Sequence, residues 1–193
     1  MARPRQFDEE TVRVSTLQTF LQNGYASTSL SDLEEATGLG RRSLYNSFGD
    51  KRTVFLRALQ DFRAIAVEQN LTPVDQPGAS IEAIADVLNG LIKLAQSPQG
   101  RLGCLICNTA REPVANDPAV AEQIELYFSR IERGFTRVLE MAQANGELPA
   151  GESITSLARF YLGILVSICV LARAGASIEI LQDIASEALR RVM

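Results

Sequence analysis

The chain has no histidine and only three cysteines among its 193 residues. Histidine is the commonest general base and the commonest metal ligand, so its absence argues against an enzyme or a metal site, although carboxylates could still fill these roles. No phosphate-binding loop, catalytic triad or metal cluster is recognisable in the sequence. An odd number of cysteines without a secretion signal favours reduced thiols over a disulfide framework. We therefore expect a protein that is not an enzyme and needs no cofactor or metal.

Long apolar runs are also missing. The longest one, residues 162–172, is interrupted by Gly163 and Ser167 and is shorter than the roughly 20 residues that a membrane span needs. The first ten residues are basic and then acidic, without the apolar run of a signal peptide. These features predict a cytoplasmic protein without a membrane partner, and 46% apolar residues provide enough side chains for a core.

The net charge of −4 is unevenly distributed. Residues 1–57 carry eight Arg or Lys against seven Asp or Glu, whereas residues 58–193 carry eleven against sixteen. Two basic clusters, Arg3 with Arg5 and Arg41 with Arg42, lie in the N-terminal part. The negative net charge is therefore compatible with a nucleic-acid partner. The basic clusters can face DNA, while the acidic remainder keeps the opposite face of the protein away from it.

The spacing of apolar residues predicts an all-α fold of about nine helices, with no internal repeat. In the N-terminal part, Asp8 is expected to cap a first helix that stops at Asn23-Gly24. Ser29 begins a second helix with Asp32 as its capping-box partner. A third short helix covers about residues 41–48, and Asp50 caps a fourth.

The stretch at residues 71–80 contains two prolines and a glycine and predicts a loop between two parts of the chain. Further helices are expected at about residues 80–96, 103–113, 118–145, 152–174 and 177–192. We divide the chain into a domain at residues 1–50 and a second domain at residues 51–193, joined by a connecting helix at about residues 51–69.

Two short helices separated by a tight turn with Gly38 and Gly40 form a helix-turn-helix pattern. Its second helix has an apolar stripe, Leu44 and Phe48, which can dock on a scaffold. The opposite stripe carries donors that can meet bases and phosphates; it consists of Arg41, Arg42, Tyr45 and Asn46.

Residues 7–60 resemble the DNA-binding domain of the TetR family of bacterial repressors. The resemblance rests on residue types and spacing: Gly24-Tyr25, Thr28-Ser29, Gly38-Leu39, Leu44-Tyr45, Phe48 and Lys51. It implies that Tyr45 and Lys51 contact phosphates and that Ser29 anchors its helix on a phosphate. It also implies that Arg41, Arg42, Ser43 and Asn46 face bases or backbone, whereas Arg3 and Arg5 can enter the minor groove. Gly40 departs from the Ser or Thr that caps this helix in many members, but glycine is an acceptable cap.

The helix at residues 160–172 is apolar nearly all round, so it must be covered on two sides. The resemblance implies that this helix and the last helix form a four-helix homodimer interface. Leu165 and Ile184 are positions at which this interface can be tested by substitution. A dimer also supplies the second half-site of a palindromic operator in double-stranded DNA.

The remaining helices are expected to enclose a pocket for a small-molecule inducer. Candidate ligand-binding residues are Cys104, Cys107, Asn108, Arg111, Tyr127 and Tyr161. The Gly103-Cys104-Leu105 segment resembles a subgroup of TetR regulators, some of which respond to reactive electrophiles or acrylate-like compounds. The predicted function is therefore a repressor that a small molecule releases from its operator.

Alternatives remain open. An activator could use the same fold, and the Cys104–Cys107 spacing fits half of a structural zinc site, which needs four ligands. Cys104 could also act as a thiol sensor, because a helix start and nearby Arg101 can lower a thiol pKa. Alternatively, both cysteines are small buried hydrophobic residues beside a pocket for a reversible ligand.

Overall fold

The computed structural model describes residues 8–192 and is helical throughout its regular elements, which confirms the all-α prediction. Within that range there are ten α-helices: α1 (Glu9–Ser27), α2 (Leu30–Thr37), α3 (Arg41–Phe48), α4 (Lys51–Asn70), α5 (Thr72–Asp75), α6 (Glu82–Ala95), α7 (Leu105–Thr109), α8 (Pro118–Ala144), α9 (Ile154–Arg173) and α10 (Ile178–Leu189). Two 3-10 turns cover Gly100–Leu102 and Pro113–Asn116. The one α-helix beyond the nine predicted is the short α5.

The predicted caps of the N-terminal helices are present. Ser29 accepts a hydrogen bond from the Asp32 amide, and Asp32 accepts one from the Ser29 amide at 2.6 Å, which completes the capping box. The carboxylates of Asp8 and Asp50 accept from the amides of the first turns of α1 and α4. These bonds satisfy amides that the helices themselves leave without a partner.

The helical geometry of α1 breaks at Gly24, where the sequence predicts a stop, and one further turn follows this kink. Gly24 has φ +76°, a left-handed conformation that other residues adopt only with strain. The kink turns Tyr25 onto the aromatic core of the N-terminal part, where its ring centroid lies 4.7 Å from that of Phe55. Phe20 contacts Phe55 from the other side at 4.9 Å.

The predicted loop at residues 71–80 contains the short helix α5. The buried Val74 holds it against the protein, and Arg137 donates to the Val74 carbonyl and to Asp75. Arg130 also pairs with Asp75. Long-range contacts, rather than local propensity, therefore order this segment. Similarly, the helix predicted at residues 103–113 is reduced to the five residues of α7.

The C-terminal part is built on α8, which packs along α9 and also contacts α4. Helix α10 packs on α6 and α9. By length and composition α9 could cross a membrane, which the shorter run of residues 162–172 did not suggest; 28% of its most apolar window is buried in the protomer. Most of this apolar helix is thus only partly covered, and Phe160 is its large exposed apolar residue.

Candidate nucleic-acid interface and internal cavity

Helix α3 presents a polar surface on a firmly seated helix. Its buried side chains, Leu44 and Phe48, dock it on the N-terminal core. The side chains on its other faces are exposed: Arg41, Arg42, Ser43, Tyr45 and Asn46. Tyr45 is 39% exposed, so it is not the core aromatic residue that a purely structural role would require. The arrangement places five hydrogen-bonding side chains on one exposed helix.

Neighbouring groups frame this surface without covering it. The Arg41 Nε lies 3.5 Å from the Glu34 carboxylate on α2, while its side chain stays 61% exposed. At the start of α4, the Lys51 ammonium lies 4.3 Å from the centre of the Tyr25 ring. Ser29 sits at the exposed N-terminus of α2. Arg3 and Arg5 lie outside the described residues.

Two polar side chains of the C-terminal part hold the kinked end of α1. The Glu112 carboxylate accepts hydrogen bonds from the Tyr25 and Ala26 amides at 3.1 and 2.8 Å. A Cβ atom on Gly24 would lie only 2.8 Å from the Glu112 Oε1, so a larger residue here would displace this carboxylate. On α9, Arg173 donates to the Leu21 and Gln22 carbonyls, both at 3.2 Å.

A third connection joins the start of α4 to the start of α8. Arg52 makes two hydrogen bonds to the Asp117 carboxylate, at 2.6 and 2.8 Å. The Arg52 guanidinium lowers the pKa of Asp117 to about 2. Asp117 also caps α8 by accepting from the Ala119 amide. Helices α1 and α4, which support the helix-turn-helix, are thus tied to the C-terminal part at three points.

A partly open cavity of about 210 Å³ lies where the two parts meet. We call it the joint cavity, because α1 and α4 form one wall, while α6, α8, α9 and the segment before α7 form the rest. Its lining residues are Leu17, Gln18, Leu21, Phe62, Ile65, Ala66, Gln69, Asn70, Leu91, Leu94, Gln99, Gly103, Cys104, Tyr127 and Cys169.

Of the predicted ligand-binding residues, Cys104 and Tyr127 line this cavity. The other four occupy different places. Cys107 is buried beside Cys104, and Asn108 donates to the Leu102 carbonyl. Arg111 is exposed, and Tyr161 lies in the core with its hydroxyl on the Ala188 carbonyl. These four are not among the cavity-lining residues.

The α1 and α4 residues of the cavity were missed by the sequence analysis. Leu17 and Leu21 stand four positions apart in the sequence, a spacing that indicates only a buried helix face. On α4, Phe62 and Ala66 also stand four positions apart, which is the spacing of an ordinary buried helix face. A helix face that lines a cavity and one that fills a core have the same apolar pattern, so the sequence offered no distinguishing feature.

The reactive-thiol prediction for Cys104 is opposed by its environment. Burial raises the pKa of the Cys104 thiol well above its usual value, contrary to the lowering expected at a helix start. The five-residue α7 is short, and Arg101 is exposed. For Cys107, the Cys104 hydrogen bond lowers the pKa, but Cys169 and burial outweigh it and raise the pKa to about 12. Among residues 8–192, no group of three or more Cys, Asp or Glu residues is placed to hold a metal ion.

An apolar face remains open on α9 and α10. Phe160 is 40% exposed and Ile180 is 48% exposed. Phe160, Ile164 and Ile184 line a groove between the two helices. Leu165 is only 2% exposed and belongs to the protomer core, so it is a wrong choice for probing an interface. An arginine there would disrupt the protomer itself.

Comparison with known proteins identifies this architecture. Residues 14–58 match the family model described as bacterial regulatory proteins, tetR family, and residues 80–187 match the tetracyclin repressor-like C-terminal domain. The uncharacterised HTH-type transcriptional regulator YezE of Bacillus subtilis is 31% identical over 184 residues, 95% of each chain. The HTH-type transcriptional repressor ComR of Escherichia coli is 30% identical, over 97% of this chain and 90% of ComR.

Solved structures agree. A cysteine mutant of the TetR family regulator CifR, complexed with a 26-base-pair operator DNA, aligns with a TM-score of 0.87 at 28% identity, over 97% of this chain and 98% of CifR. The reduced form of NemR from Escherichia coli shares the fold, with a TM-score of 0.79 at 19% identity. The chain belongs to the TetR family of bacterial transcriptional regulators.

Proposed function

We propose that this protein is a transcriptional repressor that binds a palindromic operator as a homodimer and is released by a small-molecule inducer. The observation that carries the proposal is the exposed polar surface of α3, seated by Leu44 and Phe48. A related regulator of 28% identity has a solved structure in complex with operator DNA, which supports the same partner here. Because operators lie in the bacterial cytoplasm, the protein acts there.

The side chains of α3 divide the work of recognition. Arg41, Arg42, Ser43 and Asn46 meet base edges and adjacent backbone, and an arginine pair favours guanine in the site. Tyr45 and Lys51 bind phosphates and set the register of the helix. Ser29 directs the N-terminus of α2 at a phosphate, since its capped first turn carries a partial positive charge.

The dimer forms through the open apolar face of α9 and α10. Covering this face with a second subunit removes Phe160 and Ile180 from water and explains why α9 is apolar nearly all round without a membrane. Ile184→Arg would place an unpaired charge in this interface and should yield monomers. Sedimentation, with the exposed Glu125→Arg as control, tests this; dimers of unchanged affinity would show that the interface lies elsewhere.

Two related functions compete with this proposal. An activator would use the same DNA-binding surface and differ only in its effect on transcription. A thiol sensor of electrophiles would use Cys104, which is one of the residues lining the joint cavity. The raised pKa of that thiol favours a reversible ligand over a covalent one.

Selection of bound sequences from random duplex DNA tests the proposal directly. We expect enrichment of a palindrome, with base preference at the positions read by α3. Arg41→Ala should relax that preference, whereas Arg133→Ala, an exposed arginine on α8, should leave it unchanged. If no palindrome is enriched, the repressor proposal fails. A reporter gene behind the selected site then separates repression from activation.

A further inference from the structure

The joint cavity is uncharged. No Asp, Glu, Lys or Arg is found among the described residues that line it. Its apolar walls come mainly from leucine, isoleucine, phenylalanine and alanine side chains. Its polar groups are the side-chain amides of Gln18, Gln69, Asn70 and Gln99, with the phenol of Tyr127. Such a lining can form hydrogen bonds with a ligand but cannot neutralise an ion.

Groups near the cavity do not supply the missing charge. Arg173 lies one turn beyond Cys169 on α9, but its guanidinium is committed to the carbonyls of Leu21, Gln22 and Leu102. Burial raises the pKa values of Cys104 and Tyr127, so both side chains stay neutral at physiological pH. A bound anion or cation would therefore find no opposite charge among the lining residues, and it would lose part of its hydration against the apolar wall.

The size of the cavity limits the size of the ligand. A cavity of roughly 150 Å³ lined by Leu, Ile and Phe accommodates benzene, and the joint cavity has about 210 Å³. Scaling by volume gives a ligand of about eight to ten non-hydrogen atoms. Such a molecule fills the apolar part and leaves one polar group for the amides.

The position of the cavity gives the ligand direct access to the DNA-binding part. Leu17, Gln18 and Leu21 belong to α1, whose core contacts support the helix-turn-helix. The Leu21 carbonyl is also an acceptor for Arg173, so a shift of α1 away from the cavity would strain that bond. A ligand acts on the head only if it binds one position of α1 better than another.

We propose that the joint cavity binds an uncharged, mainly apolar molecule of benzamide-like size with one amide, alcohol or carbonyl group. The ligand contacts α1 directly and thereby changes the placement of the α3 surface. This inference rests on the proposed function for its effect on the operator, but ligand binding itself is independent of DNA.

The test compares three probes of similar size and different charge: benzamide, benzoate and benzylammonium, measured by calorimetry with the full-length protein. Benzamide should bind at least about tenfold more tightly than either ion, because only the ions lose hydration without gaining a partner. Benzamide should also weaken binding to the selected operator. The operator affinity of the ligand-free protein is measured separately, so failure of the ligand proposal is distinguishable from failure of the repressor proposal.

Two substitutions locate the site. Ala66→Leu adds three carbons on a cavity wall and should abolish benzamide binding, whereas Ala64→Leu, exposed on the same helix, should not. Leu94→Ala, at a partly exposed wall position, should instead admit the larger 2-naphthamide. The proposal is overturned if none of the probes binds, if either ion binds as tightly as benzamide, if Ala66→Leu binds benzamide like wild type, or if bound benzamide leaves operator affinity unchanged.

Discussion

The Glu112 carboxylate is the most informative single group to remove, because it links two distant parts of the chain through backbone amides. It accepts from the Tyr25 and Ala26 amides, more than 80 positions away in sequence. Glu112→Ala deletes both bonds and leaves the two amides at the α1 kink without this acceptor. Glu112 belongs neither to α3 nor to the residues that line the joint cavity, so the change tests the connection between the two parts.

The magnitude follows from the two bonds and their exposure. A hydrogen bond to a charged acceptor contributes about 1.5–3 kcal/mol. Tyr25 is half-buried and Ala26 is exposed, so water can replace one of the two bonds. We therefore expect Glu112→Ala to lower the free energy of unfolding by about 2–3 kcal/mol. For a chain of this length that corresponds to a fall in Tm of about 4–12 °C.

Thermal and urea unfolding of Glu112→Ala, Glu112→Gln and wild type measure this effect. The glutamine variant should be intermediate, because its amide keeps one acceptor oxygen and presents an NH2 group to the second backbone amide. Glu125→Ala, an exposed glutamate on α8, is the matched control. Operator affinity should fall with stability, since a loosened head must be ordered again on DNA. If Glu112→Ala unfolds like the Glu125→Ala control, the connection contributes nothing and the reasoning is refuted.

Three further predictions concern separate groups. Lys51→Ala should weaken binding to all duplex sequences alike and reduce the slope of log affinity against log salt concentration by about 1. Arg41→Ala should instead cost about 1–3 kcal/mol of binding free energy and relax base preference. A sequence-dependent loss for Lys51→Ala would contradict its phosphate role. Asp117 has a folded pKa lowered to about 2 from 3.8, so its ion pair stabilises the fold above pH 3.8 and this contribution disappears as the pH falls toward 2. The stability difference between wild type and Asp117→Asn in urea should therefore shrink over that interval, and a difference that persists at low pH would contradict the ion pair. Cys104 in the folded protein should react with a maleimide at least about ten times more slowly than in urea, because it is buried and protonated; equal rates would revive the thiol sensor.

The sequence by itself determined the elements whose formation depends on near neighbours. The capping box of Ser29 and Asp32, the cap at Asp50 and the two stripes of residues 41–48 all involve groups within about four positions of one another. Helix geometry brings such groups together wherever the helix forms. For this reason the exposed polar residues of α3 could be predicted before their surroundings were known, whereas their contacts with DNA come from the family resemblance and stay a prediction.

Other properties were decided by tertiary structure, because they depend on which helices meet. The ordering of α5 depends on Arg137, about 60 positions further along the chain. The exposure of Ile180 and the burial of Leu165 follow from the rotation of α9 and α10 against their neighbours. Periodicity marks both residues as apolar but cannot say which of them stays exposed on the folded chain.

The joint cavity and the protonation state of the Cys104 thiol were also decided by tertiary structure. A gap between helices has no sequence pattern of its own, since it arises where side chains from α1, α4, α6, α8 and α9 fail to fill the space between them. Local sequence places Cys104 at a helix start, which favours the thiolate, whereas burial by distant residues favours the neutral thiol. Burial prevails because desolvation acts on the charge from all sides, while the five-residue α7 offers only a weak dipole.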